Sequence, residues 1–367
     1  MPTIYRAETI GSLLRPHYLL EAREALEQGR IDTAEFKRVE DRAVDSAIAL
    51  QEGVGLDVVT DGELRRFSFF DHLPTQIEGV TASEATPGVR FHGESRGQEW
   101  DFHSPVAVTE KIRRTRMMTV EEYSYARAVA RKPVKALLPS PLLLYTTWTR
   151  EQSSGAYADP YDLFADGARI LNEEAQELAR LGCTYIQVDA PDLGTLVDPE
   201  NRGLRESLGM PTERTLSEGM DLINSVADVP GVTFGLHLCK GNYQGKWIAA
   251  GGYDEIAEAV FRRGTNYDIF LLEYEDERSG SFQPLAKMPD DKVAVLGLIS
   301  SKKPELEPVD AIVKRIDEAA MHFPKEQLAV STQCGFASVV IGANPVDEAV
   351  QEAKLKLVAD IAEQVWA

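Results

Sequence analysis

The chain has 367 residues, of which 39 are Lys or Arg and 59 are Asp or Glu, which gives a formal net charge of −20. A nucleic-acid backbone repels a protein with this charge, so we expect no nucleic-acid partner. Apolar residues make up 43% of the chain and charged residues 27%, a balance that is typical of folded globular proteins and excludes disordered, collagen-like and coiled-coil classes.

The sequence contains no run of ~18 consecutive apolar residues, the length that a membrane helix requires. The first residues also lack a basic segment followed by an apolar one. We therefore expect a cytoplasmic protein with no membrane partner. The three cysteines, Cys183, Cys239 and Cys334, are too few for a disulfide framework, so in a reducing compartment they are core residues, metal ligands or nucleophiles.

Strand-like and helix-like segments alternate along the chain. Repeated βα units predict a parallel sheet with right-handed crossovers, and about eight of them favour a closed (β/α)8 TIM barrel in the α/β class. An open doubly wound sheet is the alternative, but the Gly-x-Gly-x-x-Gly turn that would support it is missing. The predicted strands cover residues 6–10, 56–59, 134–138, 185–188, 232–238, 268–272, 293–298 and 327–330, and the predicted helices cover 33–52, 160–181, 253–262, 308–322 and 346–366.

One region does not follow this alternation. Residues 74–131 are rich in Gly, Glu, Arg and Thr, and they separate the second predicted strand from the third. We interpret them as an insertion that forms a lid or a small subdomain. Because the chain contains no linker-like or low-complexity tract, we predict a single barrel domain over residues 1–367 that includes this insertion.

Polar side chains follow the predicted strands at their carboxyl ends. In parallel barrels these ends meet on one face, where active sites are built. We therefore expect these side chains to converge although they lie far apart in sequence. They are Ser12, Glu63, Asp189, His237, Cys239, Glu273 and Cys334.

His237 and Cys239 give the sharpest local signal. Side chains alternate between the two faces of a strand, so these two residues point the same way and could bind one ion together. A half-buried His beside a core Cys is the competing interpretation. Cys334 has a similar alternative as a small core residue, but it follows the last strand and precedes Gly335, where a loop would turn towards the pocket.

Glu273 ends the apolar run that begins at Ile269, and a carboxylate in that place is costly to bury without a partner. A cation would supply the partner. Glu275 is an alternative ligand, and a salt bridge from Glu273 to Arg278 or Lys240 is the alternative structural role. One His, two Cys and one Glu form a nitrogen, sulfur and oxygen donor set that suits Zn²⁺.

With these residues in this order on a predicted barrel, the chain resembles the catalytic C-terminal domain of cobalamin-independent methionine synthase. The matches extend over nearly the whole chain. They include Glu8-Thr9-Ile10-Gly11-Ser12, Asp61-Gly62-Glu63-Leu64-Arg65, Ile186-Gln187-Val188-Asp189-Ala190-Pro191 and Cys334-Gly335-Phe336.

The resemblance implies a zinc enzyme that methylates the thiol of homocysteine to give methionine. The family's zinc ligands would fall on His237, Cys239, Glu273 and Cys334. Its partners would be a small thiol and an alkyl donor, and a homo-oligomer is compatible with the sequence. The contacts to the amino-acid part of homocysteine would fall on Ile10, Gly11, Ser12, Glu63 and Asp189.

Two departures from the family pattern concern the amino-acid site and the alkyl donor, respectively. Ala190 stands where the full-length enzymes have Glu, and Leu298-Ile299-Ser300-Ser301 replaces the stretch with their proton-donating His. The chain looks like the single-barrel branch of this family, which is also similar to epoxyalkane:coenzyme M transferase. Opening of an epoxide by a sulfonated thiol is therefore one alternative, with Arg15, Lys240 and Arg65 as candidate sulfonate partners. A metal-free lyase that resembles uroporphyrinogen decarboxylase is the alternative from another class.

Overall fold

The computed structural model describes residues 2–93, 99–340 and 344–367. The strands in these residues are β1 (Ala7–Glu8), β2 (Ile77–Ala82), β3 (Gly88–Phe91), β4 (Trp100–His103), β5 (Val106–Arg114), β6 (Ala136–Pro139), β7 (Tyr185–Asp189), β8 (Thr233–Leu238), β9 (Ile269–Glu273), β10 (Val293–Ile299) and β11 (Leu328–Thr332). Seven of them form one parallel sheet in which each strand is bonded to its neighbours in the order β6-β7-β8-β9-β10-β11-β1. The other four, β2 to β5, lie outside this sheet.

A short extended segment at residues 57–59 closes the sheet into a barrel. The amide of Asp57 donates to the carbonyl of Ala7 at 2.9 Å, next to β1. On the other side, Val59 exchanges backbone hydrogen bonds with Pro133 and Lys135, at 3.0 and 2.9 Å. The expected second strand is therefore present as a minimal bridge, and the predicted (β/α)8 barrel is confirmed.

The helices that cover the sheet begin and end at recognisable sequence signals. The Asp32 carboxylate accepts a hydrogen bond from the Glu35 amide at the start of the second helix, and Gly55 ends that helix with φ of 100°. The α-helices of seven or more residues in the described part of the chain are His17–Glu27, Thr33–Val54, Val120–Val129, Pro160–Arg180, Pro199–Ser207, Met220–Val226, Ala257–Arg263, Val309–Ala320 and Glu348–Trp366. None of the helices in the described residues has the length and apolarity needed to cross a bilayer.

The insertion lies where the sequence predicts it, between the closing segment and β6. It contains two antiparallel pairs, β2 with β5 and β3 with β4, followed by the helix Val120–Val129. The bridge between His92 and Trp247 joins the end of β3 to the loop after β8. The insertion therefore contacts the carboxyl end of the barrel.

The barrel interior contains a fully buried ion pair. The ammonium of Lys135 lies 2.6 Å from a carboxylate oxygen of Glu8, and it also donates to the Gln187 side chain at 2.6 Å. Gln187 in turn donates to the Asp189 carboxylate at 2.7 Å. Because Asp189 is the last residue of β7, this chain of hydrogen bonds runs from the middle of the barrel to its carboxyl end.

We predict that Lys135→Met lowers the free energy of unfolding by about 3–5 kcal/mol, because it leaves the Glu8 carboxylate buried without its partner. Urea unfolding measures this loss. The double variant Lys135→Met with Glu8→Leu is the control, and we expect it to recover most of the stability because no charge is left unpaired. A single-variant loss under ~1 kcal/mol would contradict the prediction.

Candidate metal centre

Four chemically active side chains meet at the carboxyl end of the barrel. His237 lies in β8, Cys239 directly follows β8, Glu273 ends β9 and Cys334 follows β11. One ligand atom from each of these residues lies within 4.8 Å of the others, and all four residues are buried. The structure thus brings together residues that are far apart in sequence, since His237 and Cys334 are separated by 97 positions.

The donor atoms at this point are oriented towards one another. Nδ1 of His237 lies 3.2 Å from the carbonyl of Leu271, and since a carbonyl only accepts, Nδ1 carries the proton and Nε2 presents a lone pair. One carboxylate oxygen of Glu273 accepts from the Lys240 amide at 3.0 Å. Nε2 of His237 and the other Glu273 oxygen, Oε2, have no hydrogen-bond partner among the described residues. Unpartnered buried atoms of this kind fit a bound metal ion.

The two sulfurs of the cluster, on Cys239 and Cys334, lie 3.4 Å apart and share a hydrogen bond. Cys334 accepts this hydrogen bond from Cys239, and the bond lowers the pKa of the Cys334 thiol to about 7. The same bond, with burial, raises the pKa of Cys239. Burial also raises the pKa of Glu273. The cluster therefore concentrates acidic groups in a place where their charged forms need a cation.

The competing interpretations of Glu273 can be judged from its neighbours. Glu275 is bonded to Lys302 at 2.9 Å and to Arg278 at 2.9 Å, so its carboxylate is engaged away from the cluster. These cations lower the pKa of Glu275 to about 2 in spite of its burial. Glu273 itself has Lys302 at 3.6 Å from Oε2.

The residues expected to contact an amino acid lie beside this cluster. Ile10, Ser12, Glu63 and Asp189 line the same cavity as His237, Cys239 and Cys334. Gly11 is packed behind the cavity wall, where an added Cβ would lie 2.7 Å from Leu137 and 2.9 Å from the Glu63 carboxylate. A side chain at position 11 would therefore overlap Leu137 and Glu63, and glycine avoids this overlap.

Glu63 is held in an unusual backbone conformation with φ of 55°. A non-glycine residue in this region is strained, and such strain concentrates at functional sites. The Glu63 amide donates to Asp61 at 3.0 Å, and Arg66 lies 3.7 Å from its carboxylate. Burial raises the pKa of Glu63 to about 8 and that of Asp189 to about 6. Two carboxyl groups thus face a cavity in which a cationic substrate group would stabilise their charged forms.

The cavity also contains residues that sequence reasoning missed. Asp192 is 1% exposed; its Oδ2 lies 3.1 Å from the Ser140 hydroxyl, whereas its Oδ1 has no partner among the described residues. The guanidinium of Arg205 lies 3.4 Å from the ring centroid of Tyr145. Asp192 follows a strand end closely and could have been suspected, whereas Arg205 lies in the polar helix Pro199–Ser207 and gives no sequence signal.

An aromatic wall completes the cavity. Trp100 and Tyr243 stack at a centroid distance of 4.1 Å, and the wall joins the insertion to the loop after β8. Its other members pack edge-on or tilted against these two or against each other. The wall consists of Phe69, Phe70, Phe91, Trp100, Phe102 and Tyr243.

The three cations expected to hold a sulfonate have other partners. Arg15 donates to backbone carbonyls, including that of Glu63 at 2.9 Å, and Arg65 is bonded to Asp41. The ammonium of Lys240 donates to the carbonyl of Gly251 at 2.8 Å. Arg205 is a cavity-lining cation that the sequence did not indicate.

A parallel barrel with a buried His, Cys and Glu cluster at its carboxyl end defines an enzyme class whose candidate metal centre occupies the usual active-site face. The chain matches the family described as "Cobalamin-independent synthase, Catalytic domain" over residues 5–363. The chain belongs to this family of cobalamin-independent methionine synthases, and it is an enzyme of that type, a methyltransferase.

Individual relatives agree with this assignment. The chain is 34% identical over 367 residues to the uncharacterized protein YxjH of Bacillus subtilis (strain 168), covering 99% of this chain and 95% of that one. It is 26% identical over 333 residues to the methionine synthase of Pyrococcus abyssi, covering 90% and 86%. The crystal structure of a putative vitamin-B12 independent methionine synthase from Listeria monocytogenes is similar with a TM-score of 0.74 and 26% identity, covering 100% of this chain and 99% of that one.

We predict that Gly335→Ala destabilises the protein by about 1–3 kcal/mol, because the new methyl group would overlap Ser12 next to Cys334. A Cβ at this position would lie 2.0 Å from the Ser12 hydroxyl and 3.0 Å from the Ser12 amide. Urea unfolding measures the effect. Gly203→Ala is the control, since nothing lies within 4 Å of its Cβ and its helical position favours Ala by roughly 0.5–1 kcal/mol. Equal stability of the two variants would show that Ser12 is not tightly packed.

Proposed function

We propose that the protein is a zinc-dependent transferase that methylates the thiol of homocysteine and so produces methionine. The observation that carries the proposal is the buried cluster of His237, Cys239, Glu273 and Cys334, whose ligand atoms lie within 4.8 Å of one another. These four residues would hold the zinc ion. Bound zinc lowers the pKa of a coordinated thiol, so that the substrate sulfur is a thiolate at neutral pH.

The residues beside the cluster would orient the amino-acid part of the substrate. Glu63 and Asp189 are buried carboxyl groups that can bind the ammonium of homocysteine, which would favour their charged forms. Ser12 and the backbone around Ile10 and Gly11 would contact the opposite side of the amino acid. Charge-assisted hydrogen bonds of this kind fix the sulfur at one place relative to the methyl donor.

Glu273 is the ligand that we expect the substrate to replace. Four protein ligands fill a tetrahedral zinc site, so an incoming sulfur must displace one of them or enlarge the coordination shell. A carboxylate is a harder ligand than imidazole or thiolate, and zinc in such a site prefers the softer groups. The product of methylation is a thioether. Its sulfur carries no negative charge, so it would dissociate from the metal more easily than a thiolate.

The methyl donor would bind on the other side of the cavity, against the aromatic wall, with the insertion acting as a lid over it. Asp192 and Arg205 also line the cavity and would offer a carboxyl group and a guanidinium to a bound molecule. Arg205 also keeps the epoxyalkane:coenzyme M type of reaction as a second candidate, because a guanidinium is a suitable partner for a sulfonate. Family membership argues against the metal-free lyase alternative.

The proposed chemistry also favours the cytoplasm as the location. The sulfurs of Cys239 and Cys334 are 3.4 Å apart, so an oxidising compartment would favour a disulfide between them. A disulfide would remove two of the four proposed ligands. The enzyme therefore needs a reducing environment in order to stay active.

We expect about one equivalent of zinc in the purified protein and a large loss of zinc in Cys239→Ser and in Cys334→Ser, because each variant removes a thiolate ligand. Metal analysis by mass spectrometry measures the content. Cys183→Ser is the matched control, since Cys183 is buried but lies outside the cluster, and it should retain the metal. Retention of a full equivalent by both cluster variants would remove the proposed site.

We expect homocysteine to bind more tightly than coenzyme M. We also expect Glu63→Gln and Asp189→Asn to weaken homocysteine binding by about 10–100-fold, because each variant loses a charge-assisted hydrogen bond. Binding of coenzyme M, which has no ammonium group, should change little. Isothermal titration of the zinc-loaded protein measures both. Tighter binding of coenzyme M would support the epoxide-opening alternative instead.

A further inference from the structure

A buried ammonium group lies next to Oε2 of Glu273, the carboxylate oxygen that has no hydrogen-bond partner among the described residues. Nζ of Lys302 is 3.6 Å from Oε2 of Glu273 and 2.9 Å from Oε1 of Glu275. The Lys302 side chain is only 4% exposed. Since a charged lysine is rarely buried to this extent, its position next to two carboxylates calls for a specific role.

The other cations near Glu273 are held by partners of their own. Nζ of Lys240 donates to the Gly251 carbonyl at 2.8 Å and lies 4.1 Å from the ring centroid of Tyr253. Arg278 is bonded to Glu275 at 2.9 Å and to Asp276 at 2.8 Å. In the described part of the chain, Lys302 is the side chain that forms an ion pair with Glu273.

We propose that Lys302 is a positioning residue that receives the Glu273 carboxylate when the substrate thiol displaces it from the metal. The inference rests on the proposed function. In the exchange, the substrate sulfur takes the coordination position of the carboxylate oxygen, the thiol proton leaves to solvent, and Glu273 remains a carboxylate. A displaced carboxylate without a cation would be a buried unpaired charge, which is strongly unfavourable. Lys302 removes this obstacle through a small side-chain movement.

The proposal requires that the loss of Lys302 has opposite effects on metal binding and on thiol binding. Without Lys302, the metal is the remaining cation for Oε2, so Glu273 holds the metal at least as firmly and gives way to a thiol less easily. General damage to the site would weaken both metal and thiol binding. The sign of the two effects therefore distinguishes a positioning role from a structural one.

The test compares Lys302→Met and Lys302→Arg with the wild-type zinc-loaded enzyme. Zinc-edge X-ray absorption with and without homocysteine reports whether sulfur replaces oxygen in the first shell, and chelator competition reports zinc affinity. We expect homocysteine affinity to fall about tenfold or more in Lys302→Met, with zinc affinity equal or higher, and to be largely restored in Lys302→Arg. Lys292→Met is the control, because Lys292 is also buried but immediately precedes β10, at the opposite end from Lys302.

The possible outcomes separate this inference from the proposed function. Wild-type protein that binds no zinc, or whose zinc shell does not respond to homocysteine, contradicts the proposed function. Normal exchange in the wild type together with unchanged exchange in Lys302→Met overturns the role of Lys302 alone. Parallel loss of zinc and thiol binding in Lys302→Met also overturns it, because that pattern indicates a purely structural residue. Should Lys302→Met fail to fold, Lys302→Gln replaces it in the same comparison.

Discussion

The desolvation of four acidic or metal-ligating side chains in one small volume is the constraint on which the site depends. His237, Cys239, Glu273 and Cys334 are buried with their ligand atoms within 4.8 Å of one another. The anionic forms of Cys239, Glu273 and Cys334 repel one another and have lost their hydration, so a cation would stabilise them. Lys302 supplies a positive charge from one side, and Nε2 of His237 and Oε2 of Glu273, which have no hydrogen-bond partner among the described residues, are ligand atoms that could bind a metal.

The barrel interior and the site share one polar network. The Lys135 ammonium neutralises Glu8 and also holds the Gln187 amide, whose nitrogen donates to Asp189. The Asp189 carboxylate, which lines the cavity, is thus oriented through Gln187 by an ion pair that lies inside the barrel. Such coupling explains why polar residues occupy a barrel core that side chains of Val, Ile and Leu usually fill.

Much of the fold and the cluster could be predicted because the signals are local. Each βα unit has its own hydrophobic pattern, and His237 and Cys239 share a strand face by simple alternation. Lys302, Asp192 and Arg205 could not be predicted in the same way. A single sequence shows that a residue is charged, but whether a loop or helix turns it inwards depends on contacts formed by distant segments. The missing His at residues 298–301 is visible in the sequence, but no local pattern marks the lysine that follows, Lys302, as buried.

The two sides of the cavity are under different chemical constraints. Activation of a thiol needs soft ligands at fixed distances, so the side with Cys239 and Cys334 has little freedom to change. The donor side would need only a surface complementary to one particular molecule, and the chain departs from the family pattern at residues 298–301, where the proton-donating His of the family is missing. Half of the aromatic wall on this side, namely Phe91, Trp100 and Phe102, comes from the insertion, whose strands are not part of the barrel sheet. On the proposed function, selectivity for the methyl donor would therefore change through the insertion while the barrel and the proposed thiol site stay the same.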